Sequence, residues 1–248
     1  MKKAWRRYEE LRPDQLGAAV AEAPVCYWPL GLIEHHSWQL PVGFDGLKAE
    51  RMCIRMAERT GGVMLPVMWW GGGGGHGRFK WTFYQEESAA RSVLATTTAK
   101  LIDYGFRAIV LLAGHYPWQS LFDVVEPSGA AHPDVLIVKG TEMDIAGPEV
   151  KAPGDHAARA ETSYGLALLA EFVDVAACRP GRGPESWPGG SKPEFANPDP
   201  RVDYDPASPT FAQWGDDPRK ATAEEAEPYI ERIVAAVTAK IAAHLAST

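Results

Sequence analysis

The sequence predicts an α/β fold with a mostly parallel β-sheet. Apolar runs of strand length alternate along the chain with longer segments of helical period, a pattern typical of sheets flanked by helices. The chain has 248 residues, of which 46% are hydrophobic, and this content is ample for a sizeable core. Since no linker divides the sequence, we expect residues 1–248 to form a single domain.

The first half of the chain contains two predicted strands and two predicted helices. Residues 24–33 form an apolar run, and Pro29 within it predicts an interruption of regular pairing because proline has no amide hydrogen. Residues 47–59 carry an imperfect apolar face and predict a helix, and residues 62–70 form the next strand. Residues 86–104 predict a second helix, which starts with two acids at the positive end of its dipole and stops at a glycine.

The second half continues this alternation and then departs from it. Residues 106–113 are the clearest buried strand of the chain, and residues 134–139 are another. A helix is predicted over residues 161–172. Residues 179–220 are dense in Pro, Gly, Trp and Asp and have no sustained period, so we expect an irregular segment that covers part of the surface or contacts another subunit. Residues 223–246 predict a closing amphipathic helix.

Charge and cysteine content exclude several classes of protein. The formal net charge is −7 and no Lys/Arg cluster occurs, which argues against a nucleic-acid surface and favours a small-molecule substrate. The three cysteines, Cys26, Cys53 and Cys178, are far apart in apolar surroundings, so we expect reduced core residues rather than disulfides.

No segment predicts a membrane location. The basic amino terminus is followed by polar residues where a signal peptide needs its apolar stretch, and no apolar run approaches the ~18 residues of a membrane span. We therefore expect a cytoplasmic protein that does not bind membranes.

Two carboxylates and two imidazoles lie close together directly after the first predicted strand. In an extended segment Glu34 and His36 point the same way, while His35 between them points away. We therefore predict that His35 supports the site and is not a ligand. A carboxylate and an imidazole on one face are natural ligands for zinc, manganese or iron, and Asp45, after a turn-prone stretch, can return to the same point and bridge two ions. The alternative is a polar strand end, with Asp45 capping the following helix.

Further polar residues follow other strands and are expected at the same edge of the sheet. Ligands of such sheets gather beyond the carboxyl ends of the strands. His115 follows the strand at 106–113, and the glycine run at 71–75 with His76 follows the strand at 62–70. A lone histidine such as His115 is also common as a hydrogen-bonded core residue.

His156 and Glu161 enter the same site only under one placement of their helix. If the helix includes His156, then Glu161 lies about 140° further round and the two do not share a face. A helix that begins nearer Ala160 leaves His156 in the preceding loop and Glu161 in the first turn, so that either side chain can reach the site. Otherwise Glu161 is a favourable first-turn acid.

These motifs, in this order, resemble the creatininase (creatinine amidohydrolase) superfamily. The matching residues are Glu34, His36, Leu40-Pro41, Asp45, Gly114-His115, His156 and Glu161-Thr162-Ser163. The resemblance implies a three-layer α/β/α fold, a homo-oligomer (a hexamer in the family) and two divalent metal ions, Zn, Mn or Fe, with a bridging water.

The resemblance also implies a role for each matching residue. Glu34 and His115 would bind one ion and His36 the other, Asp45 would bridge them, and His156 would be the proton-transfer histidine. The chain departs from the family at Gln39, where the family commonly has His, and at Pro117, where creatininase has a metal-binding Glu. We therefore hypothesise that Glu161 completes the coordination of the second ion and is catalytic together with His156.

The reaction expected from the resemblance is metal-dependent hydrolysis. A metal-bridged hydroxide would cleave an amide C–N bond of a small cyclic substrate. Apart from the resemblance, the loop at 71–84 and the turn at 116–119 depart from the family pattern, and from them we predict His76, Tyr116 and Trp118 as substrate-binding residues. One alternative is hydrolysis of a C–C bond in a cyclic diketone of the oxidised-inositol type. A second alternative is a non-catalytic, metal-stabilised binding protein, whose metal site would be closed by protein ligands.

Overall fold

The centre of the computed structural model is a five-stranded parallel sheet. The structure describes residues 2–247, so Met1 and Thr248, at the ends of the expected domain, lie outside it. The strands in spatial order are β1-β3-β2-β4-β5, and each neighbouring pair is parallel. Their bounds are β1 Trp5–Arg7, β2 Val25–Leu30, β3 Gly62–Met64, β4 Ala108–Ala113 and β5 Leu136–Thr141.

Helices cover both faces of this sheet. Their bounds are α1 Pro13–Glu22, α2 Phe44–Thr60, α3 Glu87–Asp103, α4 Glu126–Ala131, α5 Arg159–Leu168 and α6 Ala223–Ser247. Helices α2, α5 and α6 share one buried apolar cluster with the sheet, while α1, α3 and a 3₁₀ segment at Tyr116–Val125 share the other. The expected three-layer α/β/α fold is therefore confirmed.

The central strands are buried on both faces, which explains their continuous apolar sequence. In β2, Tyr27 packs into the cluster of α2, α5 and α6, whereas Cys26 and Trp28 pack into the opposite cluster. Every residue of β2 and of β4 is buried. Cys26, like the other two cysteines, is a buried free thiol, as predicted.

Prolines set the limits of pairing between β2 and β3. The predicted strand at 62–70 ends at Met64, shortly before Pro66, and only an isolated bridge between Leu30 and Met68 follows. Pro29 interrupts pairing on one side only. Its partner on the β4 side is Leu112, in an uninterrupted register, whereas pairing with β3 stops at Tyr27.

Other element bounds differ from the prediction by a few residues. Helix α2 begins at Phe44, three residues before the predicted start, so Asp45 lies in its first turn. Helix α5 covers Arg159–Leu168, with Glu161 in its first turn and His156 in the preceding loop, which is the second of the two placements considered. The sequence did not indicate β1, α1, α4 or the 3₁₀ segment.

The irregular segment at 179–220 forms a small aromatic cluster of its own. Trp187 and Phe211 in this segment pack around Phe79, which comes from the loop after the glycine run. The ring of His35, in the loop after β2, contacts Phe79 and Phe211 of this cluster. Among the described residues, no helix is long and apolar enough to cross a membrane.

Candidate metal centre

Four segments distant in sequence meet beyond the carboxyl ends of β2 and β4: residues 34–45, 74–76, 114–117 and 156–161. Two glycines make the approach of helix α2 to these strand ends close. A Cβ atom on Gly114 would lie 2.0 Å from the carbonyl oxygen of Asp45, and one on Gly31 would lie 2.3 Å from the Cα of Gly46. Any larger residue at either position would push the first turn of α2, and with it the Asp45 carboxylate, away from the strands.

Glu34, Asp45 and His115 form the first group of potential ligands, which we call triad one. His115 Nδ1 lies 3.1 Å from Glu34 Oε2 and 3.3 Å from Asp45 Oδ2. The other ring nitrogen, Nε2, lies 3.2 Å from the carbonyl oxygen of Gly73. When Nε2 donates its hydrogen to this carbonyl, the lone pair of Nδ1 faces the two carboxylates, which is the arrangement of a metal ligand.

His36, Asp45 and Glu161 form the second group, triad two. His36 Nε2 lies 3.1 Å from Asp45 Oδ1 and 3.7 Å from Glu161 Oε2. His36 Nδ1 lies 3.1 Å from the carbonyl oxygen of Glu34, so the backbone fixes the ring in the same way. Asp45 thus belongs to both triads and directs one oxygen to each.

The residues of both triads fit divalent ions. The possible ligand atoms of each triad lie within 4.8 Å of one another, as do those of a third group, Glu34, His36 and His156. His36 Nε2 and Asp45 Oδ2 are buried and make no hydrogen bond. Unsatisfied polar atoms in a buried site are rare unless an ion or a water completes them, and mixed carboxylate and imidazole sets suit zinc, manganese or iron.

Electrostatics in the metal-free site hold protons where a metal would bind. Burial lowers the pKa of His36, but Asp45, Glu161 and Glu34 outweigh it and raise this pKa to about 9. Burial also opposes protonation of His115, yet Glu34 and Asp45 raise its pKa to about 10. The same two imidazolium groups lower the pKa of Asp45, against the effect of its burial. In the metal-free site, the carboxylates therefore surround two positively charged imidazole groups, those of His36 and His115.

His156 faces this centre from the loop before α5. Its Nε2 lies 3.0 Å from the carbonyl oxygen of His35, and its ring lies 4.6 Å from the ring of His36. Burial and the charge of His36 lower the pKa of His156 well below its usual value. Two non-glycine residues with left-handed backbone, Ser37 (φ 56°) and Ala157 (φ 49°), directly follow the site histidines, and such strain is typical of functional segments.

His35 and His76 lie beside the triads. The ring of His35 points away, as predicted, and packs against Trp38 and Phe211. The ring of His76 stacks on His156 with centroids 3.7 Å apart. Burial and the neighbouring His156 lower the pKa of His76 to about 3, so this ring is neutral and presents a flat face.

A cavity of about 290 Å³ opens onto the triads. It is lined by Glu34, Asp45, Gly74, Gly75, His76, Gly114, His115, Tyr116, Pro117, His156, Glu161, Asp199, Arg201, Val202 and Trp214. Of the three residues predicted to bind substrate, His76 and Tyr116 are in this lining. A larger cavity of about 500 Å³ beside α5 and α6 shares Trp214 with it but includes no residue of either triad, so its size alone does not make it the reaction site.

The third predicted substrate contact, Trp118, is not supported by the structure. Trp118 is 1% exposed and packs in the apolar cluster of α1 and α3. Its indole N–H donates to the carbonyl oxygen of Gly31, 3.0 Å away. The 3₁₀ segment that starts at Tyr116 turns this side chain beneath the sheet edge, away from the cavity.

Three polar residues around the triads were missed by the sequence analysis. Tyr84 donates its hydroxyl hydrogen to Glu34 Oε1 at 2.9 Å. Lys48 is completely buried and its ammonium donates to Glu142 and Glu161. The position of Glu142, directly after β5, was a usable signal because ligands gather at such strand ends. For Lys48 and Tyr84 the sequence offered none.

The two departures from the family pattern also have structural explanations. Gln39 is buried, and its amide donates to the carbonyl oxygen of Ala157 and to Thr162 Oγ1, at 2.5 and 3.1 Å. It thereby ties the His36 segment to the start of α5. Pro117 lines the cavity without a ligand atom, which leaves Glu161 as the third member of triad two.

Solved creatininase structures share this fold. Crystalline creatinine amidohydrolase (creatininase) superposes with a TM-score of 0.72 at 23% identity, over 95% of this chain and 96% of that chain. A Mn form of creatininase gives 0.71 at 22% identity, over 96% and 98% of the two chains. A mutant creatininase of the Zn–Zn type gives 0.70 at 23% identity, over 95% and 96%. At this level of identity the likeness shows the fold.

A family model provides the assignment that the structural likeness alone does not. No curated protein sequence matches the chain. The model of the creatininase family, described as creatinine amidohydrolase, matches residues 9–241, which include every residue of both triads. The chain therefore belongs to the creatininase family.

Proposed function

We propose that this protein is a divalent-metal hydrolase that cleaves the amide C–N bond of a small cyclic substrate. The observation that carries the proposal is the pair of buried triads that share Asp45, with unsatisfied ligand atoms on His36 and Asp45. A buried group of three carboxylates and two imidazoles is costly for a fold unless cations bind it. Family membership supports hydrolysis as the chemistry that this site performs.

We propose two ions, Zn, Mn or Fe, bound by the two triads. Glu34 and His115 would hold one ion, His36 and Glu161 the other, and Asp45 both. When bound, such ions lower the pKa of a water and polarise a substrate carbonyl. Because Pro117 has no ligand atom, Glu161 would supply the third ligand of the ion bound by triad two.

His156 would donate the proton that the leaving nitrogen needs. Its Nε2 is engaged by the carbonyl of His35, which leaves Nδ1 for the cavity that His156 lines. The unprotonated Nδ1 would accept the proton that the attacking water loses, and the lowered pKa makes the protonated ring a strong acid that passes this proton readily to the leaving nitrogen. The stacked ring of His76 holds the His156 ring in plane and limits its rotation.

The shape of the cavity favours a compact ring as the substrate. A volume of about 290 Å³, walled by the rings of His76, Tyr116 and Trp214, accepts a small planar molecule and excludes a long peptide. We propose His76 and Tyr116 as the side chains that contact such a ring. Creatinine, the substrate named for the family and for the solved relatives, is the first compound to test.

Assembly and location stay predictions. We propose a homo-oligomer, with a hexamer as the expected size, in the cytoplasm. Support for subunit contacts comes from Trp70, Trp81 and Phe83, aromatic side chains that are 50%, 62% and 50% exposed near the glycine run. Light scattering of the purified protein measures the size directly.

The test of the proposed function is elemental analysis followed by an activity screen. We expect more than one equivalent of Zn, Mn or Fe per chain, and hydrolysis of at least one compound among creatinine, other lactams and cyclic imides. The screen includes inosose-type cyclic diketones, because cleavage of these alone would assign C–C hydrolysis instead. Less than about 0.2 equivalents of metal per chain, with no binding of added Mn or Zn, would overturn the proposal, because a site of this composition binds such ions tightly.

A further inference from the structure

Lys48 is a buried cation next to the proposed centre, and neither the expected ligand set nor the expected proton donor includes it. It lies on α2 one turn after Asp45, so the same helix supplies the shared ligand and this ammonium group. Lys48 is 0% exposed. A lysine is almost never found fully buried unless it is paired.

The partners of Lys48 are two carboxylates from different elements. Its Nζ donates to Glu142 Oε1 at 2.6 Å and to Glu161 Oε1 at 2.9 Å. Glu142 follows β5 and Glu161 lies in the first turn of α5, so the ammonium joins three elements at the edge of triad two.

These contacts divide the two oxygens of Glu161 between different tasks. Oε1 accepts the charged hydrogen bond from Lys48, whereas Oε2 accepts from the backbone N–H of Ala157 at 2.9 Å and lies 3.7 Å from His36 Nε2. The carboxylate is therefore held at both ends, with Oε2 directed to His36 and Asp45. An ion at this position would bind Glu161 through Oε2 alone.

Glu142 explains why Lys48 does not neutralise the ligand that it holds. With one ammonium and one carboxylate, the charge of Glu161 would be cancelled and its attraction for a cation reduced. With two carboxylates the group keeps a net negative charge. Glu142 is itself fixed by Tyr116, whose hydroxyl donates to Glu142 Oε1 at 3.0 Å and whose ring lies 5.1 Å from Lys48 Nζ.

We propose that Lys48 and Glu142 are positioning residues that hold Glu161 as a monodentate, negatively charged ligand of the ion bound by triad two. This inference rests on the proposed function. It adds that the two ions depend on different outer contacts, since the described hydrogen bonds and ion pairs of Lys48 go to Glu142 and Glu161 and to no residue of triad one. The pair acts through Glu161 and not on the substrate.

The test compares two variants with wild type by titration calorimetry with Mn(II) and by elemental analysis. The double variant Lys48→Met/Glu142→Gln removes both buried charges together, so that neither is left unpaired. We expect the ion of triad two to bind about 10- to 100-fold more weakly, as is typical when an outer contact of a ligand is lost, while the ion of triad one binds as in wild type. Glu142→Gln alone keeps the lysine and should weaken the same ion by about tenfold.

A matched control removes an exposed pair of the same kind. Lys100→Met/Asp103→Asn eliminates an exposed ion pair on the surface of α3 whose residues belong to neither triad, and should leave both affinities unchanged. Electron paramagnetic resonance gives a second readout. The free Mn(II) concentration is set above both wild-type dissociation constants but below the weakened constant of triad two in the double variant. Wild type should then show the signal of two coupled ions, and the double variant that of isolated Mn(II).

Two results would overturn the inference. One is a folded double variant, judged by circular dichroism, that binds both ions within about threefold of wild type and keeps the coupled signal. The other, which applies even if the double variant does not fold, is Glu142→Gln with an unchanged affinity for the second ion. If wild type itself binds no metal, it is the proposed function that fails, so the two failures are distinguishable.

Discussion

The two triads share Asp45 but are supported by different parts of the molecule. Triad one receives its outer contacts from the loop between β3 and α3, where Tyr84 donates to Glu34 and Gly73 accepts from His115. Triad two is supported from the core, through Lys48 and the backbone of Ala157. One half of the centre therefore depends on a glycine-rich loop and the other on packed helices. Changes in either region should therefore affect the two ions unequally.

Loss of Asp45, the ligand shared by both triads, should affect the two ions equally and has the largest expected effect. Asp45→Asn keeps the shape of the side chain but loses the charge that both triads use. We expect both ions to be lost and kcat/KM to fall by at least about 10³-fold, which exceeds the 10- to 100-fold typical of outer contacts.

Elemental analysis and steady-state kinetics check this expectation. Asp103→Asn, at an exposed position of α3, is the control. Retention of both ions by Asp45→Asn would mean that Asp45 does not bridge them.

Substitution of Glu161 should remove one ion only. Glu161→Gln removes a charged ligand of triad two, and Glu161 is not a member of triad one, so we expect about 10²-fold weaker binding of one ion, unchanged binding of the other and a matching loss of activity. Titration calorimetry resolves the two affinities, with Glu224→Gln at an exposed position of α6 as the control. Full occupancy by both metals in Glu161→Gln would rule out this ligand.

The metal affinity of both triads should rise with pH. The folded-state pKa values of His36 and His115, about 9 and about 10, lie above their ordinary value of 6.5. In the metal-free protein the two charged imidazoles therefore stabilise the fold fully below pH 6.5, and this contribution is lost as pH rises through 9 to 10. Metal binding has the opposite sign, because an imidazole must lose its proton before it can bind an ion.

We expect each ion to bind about tenfold more tightly per pH unit between pH 6 and 8, since each triad releases one proton. The affinity at triad two should level off at lower pH than that at triad one, because the pKa of His36 is the lower of the two. Calorimetry in buffers of different ionisation enthalpy counts the protons. Affinities that do not change with pH would contradict protonated histidines in the metal-free site.

The sequence predicts the candidate ligands that directly follow strands better than their surroundings, for a physical reason. Glu34, His36 and His115 follow strands whose apolar periodicity is local, and parallel strands place their carboxyl ends at one edge. The start of α2 at Phe44 depends on backbone contacts that no periodicity indicates, and β3 ends before Pro66 although the apolar run continues beyond it.

Some residues around the triads could not be predicted from the sequence, because their roles depend on contacts between distant segments. Lys48 occupies the apolar side of α2, where a lysine looks like an irregularity of the pattern until its two carboxylate partners are known. Trp118 shows the reverse error, because its position beside His115 in sequence suggested a contact that the 3₁₀ segment prevents. Proximity in sequence predicts contact only where the backbone path is known.

The smallest expected effect tests the contribution of the loop to triad one. Tyr84→Phe removes the hydrogen bond to Glu34 Oε1 and also the acceptor for the backbone N–H of His76, 3.0 Å away. We expect the ion of triad one to bind about tenfold more weakly and the ion of triad two to be unaffected. Because the same hydroxyl fixes His76, the stacked contact with His156 should also loosen and raise KM for a ring-shaped substrate.

Tyr104→Phe, which changes an exposed tyrosine at the end of α3, is the control for loss of a hydroxyl elsewhere. If Tyr84→Phe instead weakened the ion of triad two, the division of the centre into a loop-supported half and a core-supported half would be wrong, since no described contact joins Tyr84 to His36 or Glu161.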